Sequence, residues 1–248
     1  AYRKIYKYHF YGKCMEKNQA KVERGITKLV VPHEKGKIAF AYPSIGPDSY
    51  TNVGKEILRQ GLKVPTGDYM ASLLHTAYCN DSVADEPEFK NVRDIMRDKW
   101  LWVFNRNLWT KDGVYVLQDE GAIGRSQSLN QKDLEIMLKD SKEFNGIRFS
   151  KDKKVRFAPK ESYQLETNTP EVLAKNGFVI ASYGVEGAEK LGEVSSKFKA
   201  KPYVFGVKTD NSEQRVSALF GNDFDNRLYV YGSDSDGGGD GRAFGVLK

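Results

Sequence analysis

The stretch DKWLWVFNRNLW, residues 98–109, holds all three tryptophans of the 248-residue chain. Trp100, Trp102 and Phe104 recur at every second position, the period of a strand, and therefore share one face. Leu101 and Val103 make the opposite face apolar too. Apolar residues on both sides describe a central strand covered twice. Leaving the aromatic row in water would expose about as large an apolar patch as a monomer carries. The stretch therefore reads as core from Trp100 to Phe104, with the polar run Asn105, Arg106 and Asn107 as the end that faces a ligand. The competing reading is an aromatic platform, in which exposed tryptophans hold a carbohydrate or a partner protein.

Working outward, Asp112-Gly113 is a favoured hairpin turn. It pairs Trp100–Thr110 with Val114–Asp119 and sets Trp109 against Val116, Leu108 against Leu117 and Arg106 against Asp119. Before this hairpin the pattern is helical. Val53, Ile57 and Leu58 fall on one side of 51–60; Met70, Leu73, Leu74, Ala77 and Tyr78 form a stripe after Pro65-Thr66; Phe89, Val92 and Met96 follow Pro87. Further upstream, 26–31 and 37–42 form a hairpin closed by His33-Glu34-Lys35-Gly36. Downstream come a helix over 130–139, a hairpin around Lys151-Asp152-Lys153, and a short helix from Thr169 to Gly177. Phe178–Tyr183 then reads as a buried strand, 184–198 as a helix and 201–207 as another strand, together a βαβ unit. QRVSALF, NRLYVY and RAFGVLK close the chain as strands. The expectation is an α+β fold with a mixed, largely antiparallel sheet built from hairpins and about five helices packed on it. A single domain spans 1–248, with its weakest internal boundary near 158–170.

Hydrophobic residues make up 40% of the chain and charged residues 29%, which is globular rather than disordered. No apolar run approaches the roughly 18–20 residues of a membrane span. Two cysteines, Cys14 and Cys79, do not make a disulfide framework, so a cytoplasmic setting is the expectation.

Charge is uneven. The net +6 is concentrated in residues 1–40, which carry ten Lys/Arg against three Glu, whereas 210–248 carry seven acids against four bases. The N-terminal strand YRKIYKYHFYGK interleaves aromatic rings with cations, the pairing that nucleic acids meet through phosphates and bases. Arg3, Lys4, Lys7, Tyr8 and Lys13 are its expected contacts, and nucleic acid or another polyanion the expected partner. The competing reading is a strand whose lysines protect a sheet edge.

The loop GSDSDGGGDG offers Asp234, Asp236 and Asp240 as carboxylate ligands for Ca2+ or Mg2+, and with them a metal-dependent hydrolase as a second function class. It departs from an EF-hand: Gly237, Gly238 and Gly239 follow, and Gly245 stands where the closing Glu belongs. FVIASYGVEGAEKLG places Gly184 and Gly187 where a phosphate docks on helix amides, but Glu186 and Glu189 in the first turn oppose an anion. His75 and Cys79, four apart, form a single compact pair, short of the four ligands of a zinc site. No nucleophile motif stands out, and three histidines leave few general bases.

Overall fold

The computed structural model describes residues 21–23, 27–222 and 224–248. These begin with a small antiparallel sheet ordered β1 (Lys21–Glu23), β2 (Lys28–His33) and β3 (Gly36–Ala41). The β2–β3 hairpin turns at Glu34 and Lys35, within the expected four residues. β4 (Ile45–Asp48) leads into three helices, α1 (Tyr50–Arg59), α2 (Gly67–Cys79) and α3 (Pro87–Asp98). Ser49 caps α1 by accepting from the Asn52 amide at 3.4 Å. Thr66 stands at the N-cap of α2, but its hydroxyl donates to the Asp68 carboxylate instead. Pro87 opens α3, as its fixed φ and missing N–H favour.

The rest of the chain runs β5 (Leu101–Thr110), β6 (Gly113–Gln118), α4 (Gln131–Met137), β7 (Lys142–Phe144), β8 (Ile147–Phe149), β9 (Val155–Pro159) and β10 (Glu166–Thr167). After these come α5 (Pro170–Lys175), α6 (Gly177–Tyr183), α7 (Val185–Ser195), β11 (Tyr203–Phe205), β12 (Glu213–Asn222), β13 (Arg227–Asp234) and β14 (Gly241–Ala243). The class is α+β. Among the described residues seven α-helices, rather than about five, accompany a large sheet ordered β10-β11-β13-β12-β5-β6-β9-β8-β7, with β14 bridging β4 and β5. Pairing is antiparallel except for β11 with β13 and β14 with β5.

Two expectations are corrected. The β5–β6 hairpin closes on Lys111-Asp112, so Trp109 faces Val114, Leu108 faces Tyr115 and Arg106 faces Leu117. The register lies two residues from the Asp112-Gly113 prediction, which keeps every side chain on its predicted face. The second correction is Phe178–Tyr183, which is helix α6 and not a strand. Asn176 caps it, its side-chain oxygen accepting from Phe178 N at 3.1 Å and Val179 N at 3.4 Å. Every residue of α6 is buried, so its apolar run carries no face periodicity to separate helix from strand. With that strand gone, β11 finds its parallel partner in β13, and the expected βαβ unit does not form.

The sheet is covered unequally. On one face Leu101, Val103, Trp109, Val204, Leu219, Leu228 and Val230 pack beneath α2, α3, α5, α6 and α7 in one continuous core. On the other face Trp102, Phe104, Val216 and Ala218 lie under α1, and Leu108, Tyr115, Val155 and Phe157 lie against Leu134 and Leu138 around α4. All ten residues of β5 are buried, as its two apolar faces require.

Candidate functional site

Beyond α1, no helix among the described residues covers the second face of the sheet at β11, β13 and β12. The side chains that emerge there are aromatic: Trp100 just before β5, Phe220 on β12, Tyr229 and Tyr231 on β13, and Tyr203 and Phe205 on β11. Strand alternation puts them on one side, because their neighbours Val204, Leu219, Leu228 and Val230 point the other way and are buried. Register aligns them: Tyr203 sits beside Tyr229, Phe205 beside Tyr231, and Phe220 beside Tyr229. All six remain partly exposed.

The rings form a connected ladder. Phe205 and Tyr231 stack at 4.4 Å between centroids with planes 10° apart. Trp100 stacks on Phe220 at 5.6 Å and meets Tyr231 edge-on at 4.3 Å. Tyr203 touches Phe205 at 4.4 Å, and Phe220 reaches Tyr229 at 6.3 Å. Mutual stacking fixes the rings before any ligand arrives, which lowers the ordering cost of binding. Burial, reinforced by the neighbouring Tyr229, pushes the Tyr231 phenol far above its ordinary value. Burial and the bond to Asp225 raise Tyr229 likewise. Both therefore stay neutral hydroxyls.

The rim of this face is charged but balanced. Arg227 pairs with Asp225 at 3.3 Å, and Lys208 with Glu166 at 2.8 Å. A small hollow of 260 Å3 at the β10–β11 edge lies between Glu166, Tyr203, Phe205 and Lys208.

The residues singled out in the sequence are placed as follows. Arg3, Lys4, Lys7, Tyr8 and Lys13 lie outside the described residues, so the polyanion reading draws no support from the fold. Trp102 and Phe104 are core, as expected, but Trp100 is not: it opens the aromatic ladder. Asn105 and Asn107, expected at a ligand, are buried and tie elements together. Asn105 Nδ2 donates to Ser182 O at 3.0 Å; Asn107 Nδ2 donates to Ser217 Oγ at 2.9 Å and Gly232 O at 3.0 Å. Arg106 donates to Gln127 O. These donors satisfy main-chain carbonyls and the Ser217 hydroxyl, while Asn105 Oδ1, Arg106 Nε and Asn107 Oδ1 are buried without a partner among the described residues.

The three C-terminal aspartates serve separate partners. Asp234 Oδ1 accepts from Asp236 N at 2.9 Å, Asp236 Oδ2 accepts from Arg125 N at 3.0 Å, and Asp240 pairs with Lys99 at 3.7 Å. Among the described residues no group of three or more His, Cys, Asp or Glu is disposed to hold a metal ion. His75 meets Glu193 at 2.7 Å rather than Cys79. No helix among the described residues is long and apolar enough to cross a membrane.

The aromatic face did leave a trace in the sequence. Tyr203-Val204-Phe205 and Tyr229-Val230-Tyr231 both set a buried valine between two aromatics. Only the parallel pairing of β11 with β13 brings the two together. No family model and no curated protein matches this chain. It is similar to a solved structure described as "Accommodation of massive sequence variation in Nanoarchaeota by the C-type lectin fold", at 13% identity over 82% of this chain and 95% of that one, with a TM-score of 0.45; a likeness this distant carries no argument about function.

Proposed function

We propose that the protein is a binding module whose partly exposed aromatic face holds a neutral glycan. The observation that carries this reading is the six-ring ladder, partly exposed among the described residues. A contiguous, partly exposed aromatic patch of this kind marks an interaction surface. The apolar C–H face of a pyranose packs on such rings, while its hydroxyls need nearby donors and acceptors. The neutral phenols of Tyr229 and Tyr231 and the carboxylates of Asp225 and Glu166 supply both. Single-stranded nucleic acid also stacks on aromatic platforms, but it requires a surplus of cations along the groove. Here Arg227 and Lys208 are each matched by a carboxylate, which favours an uncharged ligand.

The test is binding of the purified protein to an array of neutral glycans, followed by titration of the strongest hit with tryptophan emission as the signal. Binding should change little between low and high salt, and Trp100→Ala and Phe205→Ala should each weaken it by about tenfold or more, the scale of a 1.4 kcal/mol loss. No retention on any neutral glycan, or undiminished binding by both variants, overturns the proposal. Salt-sensitive binding of single-stranded oligonucleotides to the same face would replace the glycan with a polyanion.

A further inference from the structure

A second site lies apart from the aromatic ladder, where the β2–β3 turn, α2, the β7–β9 edge and the α6–α7 junction surround a cavity of 660 Å3. Five cations and four carboxylates line it, so its rim is nearly neutral and the groups at its floor decide what it accepts. At the floor is Arg156 on β9, only 4% exposed. Its Nε donates to Lys153 O at 3.2 Å and its Nη1 to Ala181 O at 3.1 Å. Among the described residues Nη2 has no hydrogen-bond partner, and no carboxylate forms an ion pair with the guanidinium.

A buried charge without a counter-charge is costly, and a partner that supplies one recovers that cost. Two of the four acids are engaged elsewhere. Asp68 accepts from Thr66 and faces His33 at 4.0 Å; Glu186 pairs with Lys190 at 2.6 Å. Burial lowers the Arg156 pKa, and the charge of Asp68 offsets this only in part. Opposite Arg156, α7 begins at Gly184, whose φ of +75° turns the chain sharply from α6 into α7. With no side-chain cap there, the first amides of α7 present the positive end of the helix to the cavity. Glu186 in that first turn counted against an anion in the sequence, but its ion pair with Lys190 removes much of that objection. The remaining wall is apolar: Phe149, its ring centroid 5.7 Å from the guanidinium, with Phe144 and Val185.

We infer that this cavity binds a small organic oxyanion, a carboxylate or phosphate carried on an apolar body, with Arg156 as its anchor and Phe149 and Val185 against the body. The inference is independent of the glycan reading, since it uses none of the ladder residues.

The probes are benzoate, phenyl phosphate, inorganic phosphate and the neutral benzamide, compared by calorimetric titration of the intact protein. At least one aromatic anion should bind, and benzamide should bind about tenfold more weakly or not at all. The better of benzoate and phenyl phosphate identifies the head group. Arg156→Lys, which keeps the charge but loses the planar fork, should weaken the aromatic anion about tenfold. Since Arg156 also ties β9 to α6, Val185→Trp provides a second variant: it fills the wall, leaves Arg156 in place, and should abolish binding in a protein that unfolds as cooperatively as the wild type. Silence from both aromatic anions, equal binding of benzamide, or wild-type affinity in Val185→Trp each overturns the inference. Inorganic phosphate binding as tightly as phenyl phosphate overturns the role of the apolar wall.

Discussion

Trp100 and Trp102 stand two residues apart on the same side of the chain, yet they belong to different environments. Trp102 is fully buried, edge-on to Tyr50 of α1 at 5.7 Å, with its Nε1 donating to Asp48 O at 3.1 Å. Trp100 is only partly buried and stacks outward along Phe220 and Tyr231. The difference lies in what covers each ring, not in the strand: Tyr50 of α1, Asp48 of β4 and Gly241 of β14 close over Trp102. The same alternation that makes a core under α1 and β14 makes a platform beyond them, and the two rings still touch at 6.4 Å.

The most severe way to break this contrast is Trp102→Ala. Removing a fully buried tryptophan should cost about 3–5 kcal/mol of stability, read from urea unfolding. A smaller loss for Trp102→Ala than for Trp100→Ala would reverse the assignment of core and platform. Next is Gly241→Ala. A Cβ at Gly241 would lie 1.9 Å from Trp102 Nε1, so the strand that closes over this ring tolerates no side chain there. The expected cost is about 1–3 kcal/mol, whereas alanine at Gly238, with open space around it, should stay within about 0.5 kcal/mol.

Trp100→Ala should cost less, about 1–2 kcal/mol, because the ring is only partly buried. Acrylamide sharpens the same point. Trp102 and Trp109 are 0% exposed, so most of the quenchable emission should vanish in Trp100→Phe. Strong quenching that persists in that variant would place a second tryptophan in solvent.

The smallest effect concerns the α4 side of the same face. Hydrogen bonds from Arg148, at 2.7 and 3.0 Å, hold the Glu135 carboxyl below its unfolded value of 4.5. A lowered folded value means the pair contributes stability above pH 4.5 and loses it as the pH falls through the folded value. Both side chains are partly exposed, so solvent screening limits this to about 0.5 kcal/mol. Glu135→Gln should differ from wild type by that amount at pH 7, with the gap closing in acid unfolding measurements.

Much of the fold was legible because its signals are local. Pro87 and the Thr169-Pro170 pair mark helix starts, and Thr169 Oγ1 accepts from Val172 N at 3.3 Å, the bond its position predicts. The hairpins β2–β3, β5–β6 and β8–β9 follow from turn residues between alternating runs. The α6 segment misled because Phe-Val-Ile-Ala is equally apolar on every side, and only the Asn176 cap distinguishes it. The candidate sites were less legible. Arg156 looked like any arginine in a hairpin, since neither its burial nor its lack of a counter-ion is a property of the neighbouring sequence. Of the aromatic ladder, only Trp100 was visible as a platform, and it was counted as core.

The sequence by itself determined the class, the central position of β5, and the burial of Trp102 and Phe104, because strand alternation and two-sided apolarity are encoded within a few residues. What covers each face was decided only in three dimensions. The packing of α1, β4 and β14 over Trp102 sets the border between core and platform, and the parallel joining of β11 to β13 gathers rings from strands some 25 residues apart. Such long-range pairings depend on which surfaces remain free once the local elements have formed, and no short window of residues contains that information.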